Sequence, residues 1–532
     1  MQIGLIALCG GVLGVLLMIP LRSALIVKEH GVLAYPEGQA CAEVLIAGEE
    51  GGAKASTVFT GLGIAAVYKF IADGLKLFPS EVDYTIPAYK GAGVGMDVLP
   101  ALAGVGYICG VKVSSYLFAG GTLAWFVIMP LIALFGSDLT IYPATMPIAE
   151  LWAEKGTWGL WSNYVKYIGA GAVATGGILS LVKSLPLIIR TFRDAIGGYG
   201  KNGTGTLRTE QDLFMKVLGI GVLGIVLALW LIPTIPLNFF SALIVIVFGF
   251  FFATVSSRMV GLIGSSNNPV SGMAIATLLI STMLLKSTGT DGAEGMIAAI
   301  TIGSLICIIA AIAGDTSQDL KTGFLVGATP KKQQMGEVLG CIISALAVGG
   351  ILYLLNAAWG YGTNELPAAQ ASLMKLVVEG VMGGNLPWPL VFTGVFIALV
   401  VEILGVPVMP FAIGLYLPIH LSTPIMAGGL LRWYLEKRKY ASEKAKNDTV
   451  QSGVLYTSGL IAGEGVVGIL LAVCAIVPMG VNAAGEAMTL GDKINLSGMI
   501  SLGNIGGLAA FAVLLLTIYF FAVKGGKSSK SK

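Results

Sequence analysis

The sequence predicts an all-α polytopic membrane protein, with about 12–14 transmembrane helices in two repeats that include broken or re-entrant segments. Three observations lead there. Only 11% of the residues are charged and 55% are hydrophobic, whereas a soluble domain carries about 25% charged residues. Apolar runs recur that are long enough, at roughly 17–25 residues, to cross a ~30 Å hydrocarbon core as helices. The short alternating segments of a membrane β-barrel are absent.

Taken in order, the runs lie near 2–22, 55–78, 92–110, 111–136, 162–187, 213–233, 238–257, 268–285, 295–313, 336–357, 388–431, 453–477 and 498–523, with 388–431 long enough for two spans. The first follows Met1 without a basic stretch, so no cleavable signal peptide is expected. Between the runs, basic residues set the orientation. Lys183, Arg190, Arg193, Lys201, Arg208 and Lys216 form one cluster, Arg432 to Lys446 a second, and Lys524 to Lys532 a third. By the positive-inside rule all three face the cytoplasm, the C-terminus included. The acidic segment 136–161 and the segment 478–497 fit the outside. The chain then divides into a first membrane repeat (1–190), a basic cytoplasmic loop (191–212), central helices with a second repeat (213–477), and an external loop, last helix and basic tail (478–532). The helix count between the basic loops is odd where topology needs an even one, so one segment is re-entrant or miscounted, with 366–382 or 404–418 the candidates.

The two repeats rest on self-similarity at a spacing of about 294 residues. Pro36 matches Pro330, Glu43-Val44-Leu45 matches Glu337-Val338-Leu339, and Gly110-Val111 matches Gly405-Val406. Pro130 matches Pro424, and Tyr164 and Gly171 match Tyr456 and Gly463. The loops after the two copies fall on opposite sides, which points to inverted repeats.

The most polar interruption is "GSSNNPVSGM" at 264–273. Pro269 lacks an amide hydrogen and breaks or starts a helix there. Broken backbone at membrane depth survives only where it lines a cavity or is buried in protein. A helix starting at Pro269 would aim its free amides at whatever fills that cavity. Asn267, Asn268, Pro269, Ser271 and Gly272 are therefore candidate substrate-binding residues, the alternative being an ordinary helix cap in a short loop. His420 joins them from "LYLPIHLSTP", between Pro418 and Pro424, against the alternative of a hydrogen-bonded packing residue.

Acids inside apolar runs are the candidates for proton coupling. Glu402 lies in "VFIALVVEILGV", Glu464 between glycines in "LIAGEGVVG", and Asp97 ahead of Leu99-Pro100. Ionised carboxylates in lipid cost about 2.5–3.5 kcal/mol, so such groups face the protein interior. Glu43 belongs to "YPEGQACAEVLIAGEEGG" with Glu37, Glu49 and Glu50, and its repeat partner is Glu337. A solvated amphipathic helix explains the first stretch equally well. Lys69 and Asp73, four apart on one helix face, read as an internal ion pair.

The six cysteines are scattered without a CxxC pair and the histidines are only His30 and His420, so no metal site and no cofactor are expected. There is no GxxxxGK[ST] loop, HExxH or GxSxG, hence no enzyme reading and no built-in ATP motor. An ion gradient is the remaining energy source.

Several of these stretches together carry a resemblance. "YPEGQACAEVLIAG", "VVEGV", "VPVMPFAIGLYLPIHLSTPIMAGGLLRW" and "SGLIAGEGVVGI" resemble the oligopeptide transporter superfamily, above all its yellow stripe-like branch and prokaryotic relatives. The resemblance runs from about residue 10 to 520. It implies proton-coupled symport of small oligopeptides or metal chelates across the cytoplasmic membrane. The expected partners are that small-molecule substrate, protons and the lipid bilayer, with no nucleic acid and with a homodimer as the assembly. The family's polar break falls on Asn267, Asn268, Pro269, Ser271 and Gly272, and its acidic glycine motif on Glu464. Members usually begin with further spans, so N-terminal helices are expected to be missing here. The competing readings are a passive channel and a transport-incompetent assembly partner.

Overall fold

The computed structural model describes all residues except 1, 34, 49–52, 199–206, 236, 264, 266–267, 269, 291, 364–365, 384–386, 482–486 and 529–532. Helix α1 (Gln2–Met18) runs into a tightened turn ending at Leu21. Helix α2 (Pro36–Gly48) starts on a proline, whose missing amide hydrogen costs nothing at the first helical position. Helix α3 (Ala53–Lys69) continues through a π-helical turn to Gly74. Then comes an antiparallel hairpin, β1 (Glu81–Thr85) with β2 (Gly93–Asp97). Helices α4 (Pro100–Thr122), α5 (Met129–Phe135), α6 (Ile148–Leu160) and α7 (Lys166–Gly198) follow, joined where possible by π-helical turns.

Helices α8 (Met215–Leu231), α9 (Phe239–Ile263), α10 (Val270–Ser287), α11 (Gly292–Val326) and α12 (Pro330–Ala358) form the central stretch. Beyond it lie α13 (Ala369–Gly383), α14 (Trp388–Ile403), α15 (Val408–Tyr416), α16 (Ile419–Lys437) and α17 (Glu443–Ile476). The side chain of Ser442 caps α17 by accepting from Ala445 N at 3.2 Å. A small hairpin, β3 (Pro478–Val481) and β4 (Ala487–Thr489), leads to α18 (Leu490–Ile494) and α19 (Gly503–Ser528).

The molecule is thus an all-α polytopic membrane protein. Among the described residues eight helices are long and apolar enough to cross a membrane, and two shorter apolar helices, Met273–Ser287 and Trp388–Ile403, accompany them. Helix α15, at nine residues, reaches only about 14 Å and cannot cross a ~30 Å core. One expected span is absent. Residues 92–110, read as a helix, are instead strand β2 followed by the start of α4, and α4 runs on to Phe135 as a single bent segment. In "GVGMD" the glycines alternate with Val94 and Met96, a period of two that an apolarity count cannot separate from a buried helix.

The chain forms two compact units. Unit 1 is Met1–Gly51, Gly176–Tyr353 and Gln370–Leu386; unit 2 is Gly52–Thr175, Leu354–Ala369 and Pro387–Lys532. In unit 1, α11 packs against α1, α9 and α10, and Ile302, Leu305, Ile306 and Ile309 on it are wholly buried. Asp212 fastens this unit by taking Arg22 Nε at 2.5 Å and Gln334 Nε2 at 2.7 Å. In unit 2, α3 packs along α17, and α4 packs against α15 and α16.

Gly110 and its expected repeat partner Gly405 both adopt left-handed backbone, with φ of 78° and 73°, and both bend or end a helix. Gly120 lies against the carbonyl of Phe411, and Gly414 lies against the carbonyl of Leu117. Residues 117 and 411, like 120 and 414, stand at the spacing of the expected repeat, so the contact between α4 and α15 is self-complementary. A Cβ on Gly414 would fall 1.8 Å from Leu117 O, which is why glycine holds these backbones in contact. Small residues serve the same purpose wherever membrane helices associate, since burying apolar surface gains little in lipid.

Candidate functional site

Among the described residues, two polar constellations hold the candidate residues that the structure brings together, one in each unit. In unit 1 the break between α9 and α10 is built against the start of α2 and the C-terminal half of α11. Asn267 and Pro269 lie outside the described residues; Ser271 and Gly272 fall in the first turn of α10, their surroundings likewise outside the description. Asn268 is placed: its Nδ2 donates to Ser256 Oγ at 2.6 Å, and Ser256 donates on to Ala310 O. Its Oδ1 is buried without a hydrogen-bond partner among the described residues.

Glu37, which immediately follows the proline that starts α2, is the hub. One carboxylate oxygen accepts from Ser265 N at 2.8 Å, and the other accepts from Gln318 Nε2. Gln318 Oε1 in turn accepts from Gly38 N at 2.6 Å, and Thr322 Oγ1 donates to Gly38 O at 2.8 Å. A Cβ at position 38 would sit 2.4 Å from Gln318 O, so only glycine lets α2 approach α11 this closely. Beside it Arg258 Nη1 meets Glu29 Oε1 at 2.9 Å, while Arg258 Nε and Glu29 Oε2 are buried without hydrogen-bond partners among the described residues. Lys321, only 2% exposed, places Nζ 2.8 Å from His30 Nδ1 and donates to Leu33 O at 3.1 Å. Buried polar atoms are nearly always hydrogen-bonded. Three that are not, amid two cations, two carboxylates and amide groups, make a place where a polar solute bearing both charges gains bonds.

Reading the sequence for motifs missed Arg258, Gln318 and Lys321. For Gln318 and Lys321 the signal was present in "GDTSQDLKTG" (314–323), a polar run closing an otherwise apolar helix whose side chains at 316–318 and 320–322 are buried.

In unit 2 the structure brings Asp97 and Glu464 together. Glu464 on α17 accepts from Ala101 N at 2.6 Å, capping the N-terminus of α4, and its other oxygen is 3.7 Å from Lys69 Nζ. Lys69 also pairs with Asp73 at 2.5 Å, the i, i+4 pair expected from the spacing, and Asp73 accepts from Ser80 Oγ. Asp97, on strand β2, feels the charges of Glu81, Lys69 and Glu464. Burial pushes its carboxyl up to about 7; Glu81 adds to the rise and Lys69 opposes it. Glu81 is raised too, by burial and then by Asp83.

His420, 1% exposed, opens α16 in this same unit, with Nε2 3.3 Å from Asp83 Oδ1 and 3.7 Å from Glu81 Oε1. Its ring stacks on Trp158, with centroids 5.0 Å apart, and meets Trp125 edge-on at 5.1 Å. The remaining candidates lie elsewhere. Glu402 is half-buried in the last turn of α14, a helix that packs on α7 through Gly394 and Gly171. Glu337 lies on α12 in unit 1, against Asp319 of α11. Glu43 lies on α2, its side chain outside the description.

Broken membrane helices lined with buried charge define a solute-transporter class of membrane protein. The chain belongs to the OPT oligopeptide transporter protein family, whose description matches residues 1–475. It is 30% identical to a Haemophilus influenzae (strain Rd) protein named "Putative oligopeptide transporter", over 96% of this chain and 86% of that one. It is 23% identical to rice (Oryza sativa subsp. japonica) "Probable metal-nicotianamine transporter YSL13", over 85% of this chain and 67% of that one. A third relative, the rice "Iron-phytosiderophore transporter YSL15", is 23% identical over 63% of this chain and 52% of its own length.

Proposed function

We propose that this protein is a proton-coupled symporter of small oligopeptides or metal chelates in the cell's plasma membrane, with its C-terminus in the cytoplasm. The observation that carries the reading is the polar break in unit 1, where Asn268, Glu37, Gln318, Arg258 and Lys321 gather in a membrane protein of a transporter family. Peptides and metal chelates both present carboxylates and amines or amides, which these cations, carboxylates and amides complement. No cluster of three His, Cys, Asp or Glu residues suited to a metal ion occurs among the described residues. Any metal carried would be cargo wrapped in an organic chelator, as the names of the rice relatives have it. In unit 2, Asp97 changes protonation near neutral pH and stands with Glu464, Lys69 and Asp73. A carboxyl with a midpoint there is loaded and unloaded by physiological pH differences.

The test is purified protein in liposomes under an inward proton gradient, offered di- to hexapeptides and iron, zinc and nickel chelates. Mass spectrometry of the lumen should show one of the two classes concentrated above its outside level. Mere equilibration of solutes, gradient or none, would indicate a passive pathway instead.

A further inference from the structure

The β1–β2 hairpin displays its odd-numbered residues on one face, because Glu81 pairs with Asp97, Asp83 with Gly95, and Thr85 with Gly93. That face carries three carboxylates, and both remaining β2 positions are glycines. The glycines have a purpose. A Cβ on Gly95 would lie 1.8 Å from His420 Nε2, and one on Gly93 would lie 2.8 Å from Thr157 Cγ2. The missing side chains let the imidazole of α16 press directly onto the Asp83–Gly95 rung. His420 is almost wholly buried there, yet neither ring nitrogen has an aligned hydrogen-bond partner among the described residues, and Asp83 Oδ1 is likewise unmatched. A buried imidazole without a hydrogen bond is costly, and the nearest groups able to relieve it are the carboxylates of this acidic face.

Resting on the proton-coupled reading above, we propose that the acidic face of the hairpin is a proton relay from Asp97 and Glu464 through Glu81 and Asp83 to His420. Cross-strand partners hold their Cβ atoms about 4.5–5.5 Å apart, so Asp97 hands its proton to Glu81 across one rung. Glu81 and Asp83 are neighbours on the same face, and both reach His420 Nε2, at 3.7 and 3.3 Å. When Nε2 takes the proton, the ring becomes an imidazolium held against the Asp83 and Glu81 carboxylates, and it returns the proton through the same Nε2, so the one proton that enters is the one that leaves. The charged groups facing this row are Lys69 and Asp73 from α3 and its continuation, Glu464 from α17 and His420 from α16. Trp125 and Trp158 flank the ring and exclude water without adding charge.

The experiment follows the pH inside proteoliposomes with a trapped dye while the same peptide and chelate mixture is added outside. Parallel vesicles, loaded equally on both sides, report exchange of isotope-labelled mixture. Asp83→Asn should slow mixture-driven acidification by about tenfold or more while exchange continues, and His420→Gln should slow acidification as much. Asp83→Glu, which keeps the carboxylate and guards against a folding failure, should restore acidification. Wild type that acidifies, with both variants acidifying within about twofold of it, overturns the relay but leaves proton coupling standing. Wild type that imports the mixture without acidification overturns the coupling itself, and the relay with it. Loss of exchange together with acidification in both Asp83→Asn and Asp83→Glu would make Asp83 a packing residue and also overturn the relay.

Discussion

Replacing Asp97 with Asn should flatten one part of the protein's pH response. An exposed aspartate gives up its proton at about pH 4, but Asp97 holds it to about pH 7. The folded state therefore binds this proton more tightly than the unfolded chain does. That contribution to stability is complete below about pH 4 and disappears as the pH rises through about 7. A three-unit shift corresponds to about 4 kcal/mol for a fully desolvated group, and partial exposure of the hairpin reduces it to about 2 kcal/mol. Glu81 supplies the smaller share. At about 5 Å across the rung, in a half-solvated setting, its charge raises Asp97 by about 1 kcal/mol, less than one unit. Thermal unfolding in detergent from about pH 5 to about pH 8 should show wild type losing about 2 kcal/mol relative to Asp97→Asn. In Glu81→Gln the midpoint should fall by less than about one unit. Parallel wild-type and Asp97→Asn curves would refute the assignment. A midpoint near 4 in Glu81→Gln would show that the neighbouring charge, not burial, sets it.

Other changes separate packing from chemistry. Gly95→Ala puts a methyl into the imidazole and should cost about 1–3 kcal/mol, and adding His420→Ala should recover at least about 1 kcal/mol in a double-mutant cycle measured by unfolding. Gly414→Val drives a side chain into the Leu117 carbonyl and should destabilise by a similar amount, read as a lower unfolding temperature at every pH. Asp212→Ala leaves Arg22 buried and unpaired, and should cost about 3–5 kcal/mol with no change in the pH dependence of whatever transport remains. Glu37→Gln keeps one acceptor for Ser265 N but loses the charge beside Gln318; half-saturation for the imported solute should rise by about tenfold, with the pH profile of uptake unchanged.

Much of this arrangement is legible in the chain as text. Apolar run lengths give the all-α membrane class, and "SSNNPVSG" marks the break because proline and asparagine side chains have no other business at membrane depth. Gly110 and Gly405, matched by spacing alone, share a left-handed backbone, one bending α4 and the other following the end of α14. What the linear text hides is proximity. Lys69, Asp97 and Glu464 belong to three distant segments, and only the folding of α3 along α17 and of the hairpin against them makes one cluster. The hairpin itself is concealed because glycine and valine suit a buried helix as readily as a strand. Glu402 shows the converse limit. Flanking apolar residues mark an acid as worth inspecting, but they do not tell mid-span from the final turn before a left-handed glycine. Lys321 and Gln318 escaped because a polar run at the end of a long helix reads as its solvated tip, whereas here that tip is buried beneath the residues 29–38.

The most direct test of proton-coupled transport is the proton movement that accompanies uptake by the wild-type protein. Liposomes with equal pH on both sides and a trapped pH dye would receive the peptide and chelate mixture outside, and lumenal pH would be followed as solute enters. The account predicts acidification in step with uptake, abolished by a protonophore and weaker as the external pH rises past about 7. Uptake that leaves the lumenal pH unchanged would contradict it.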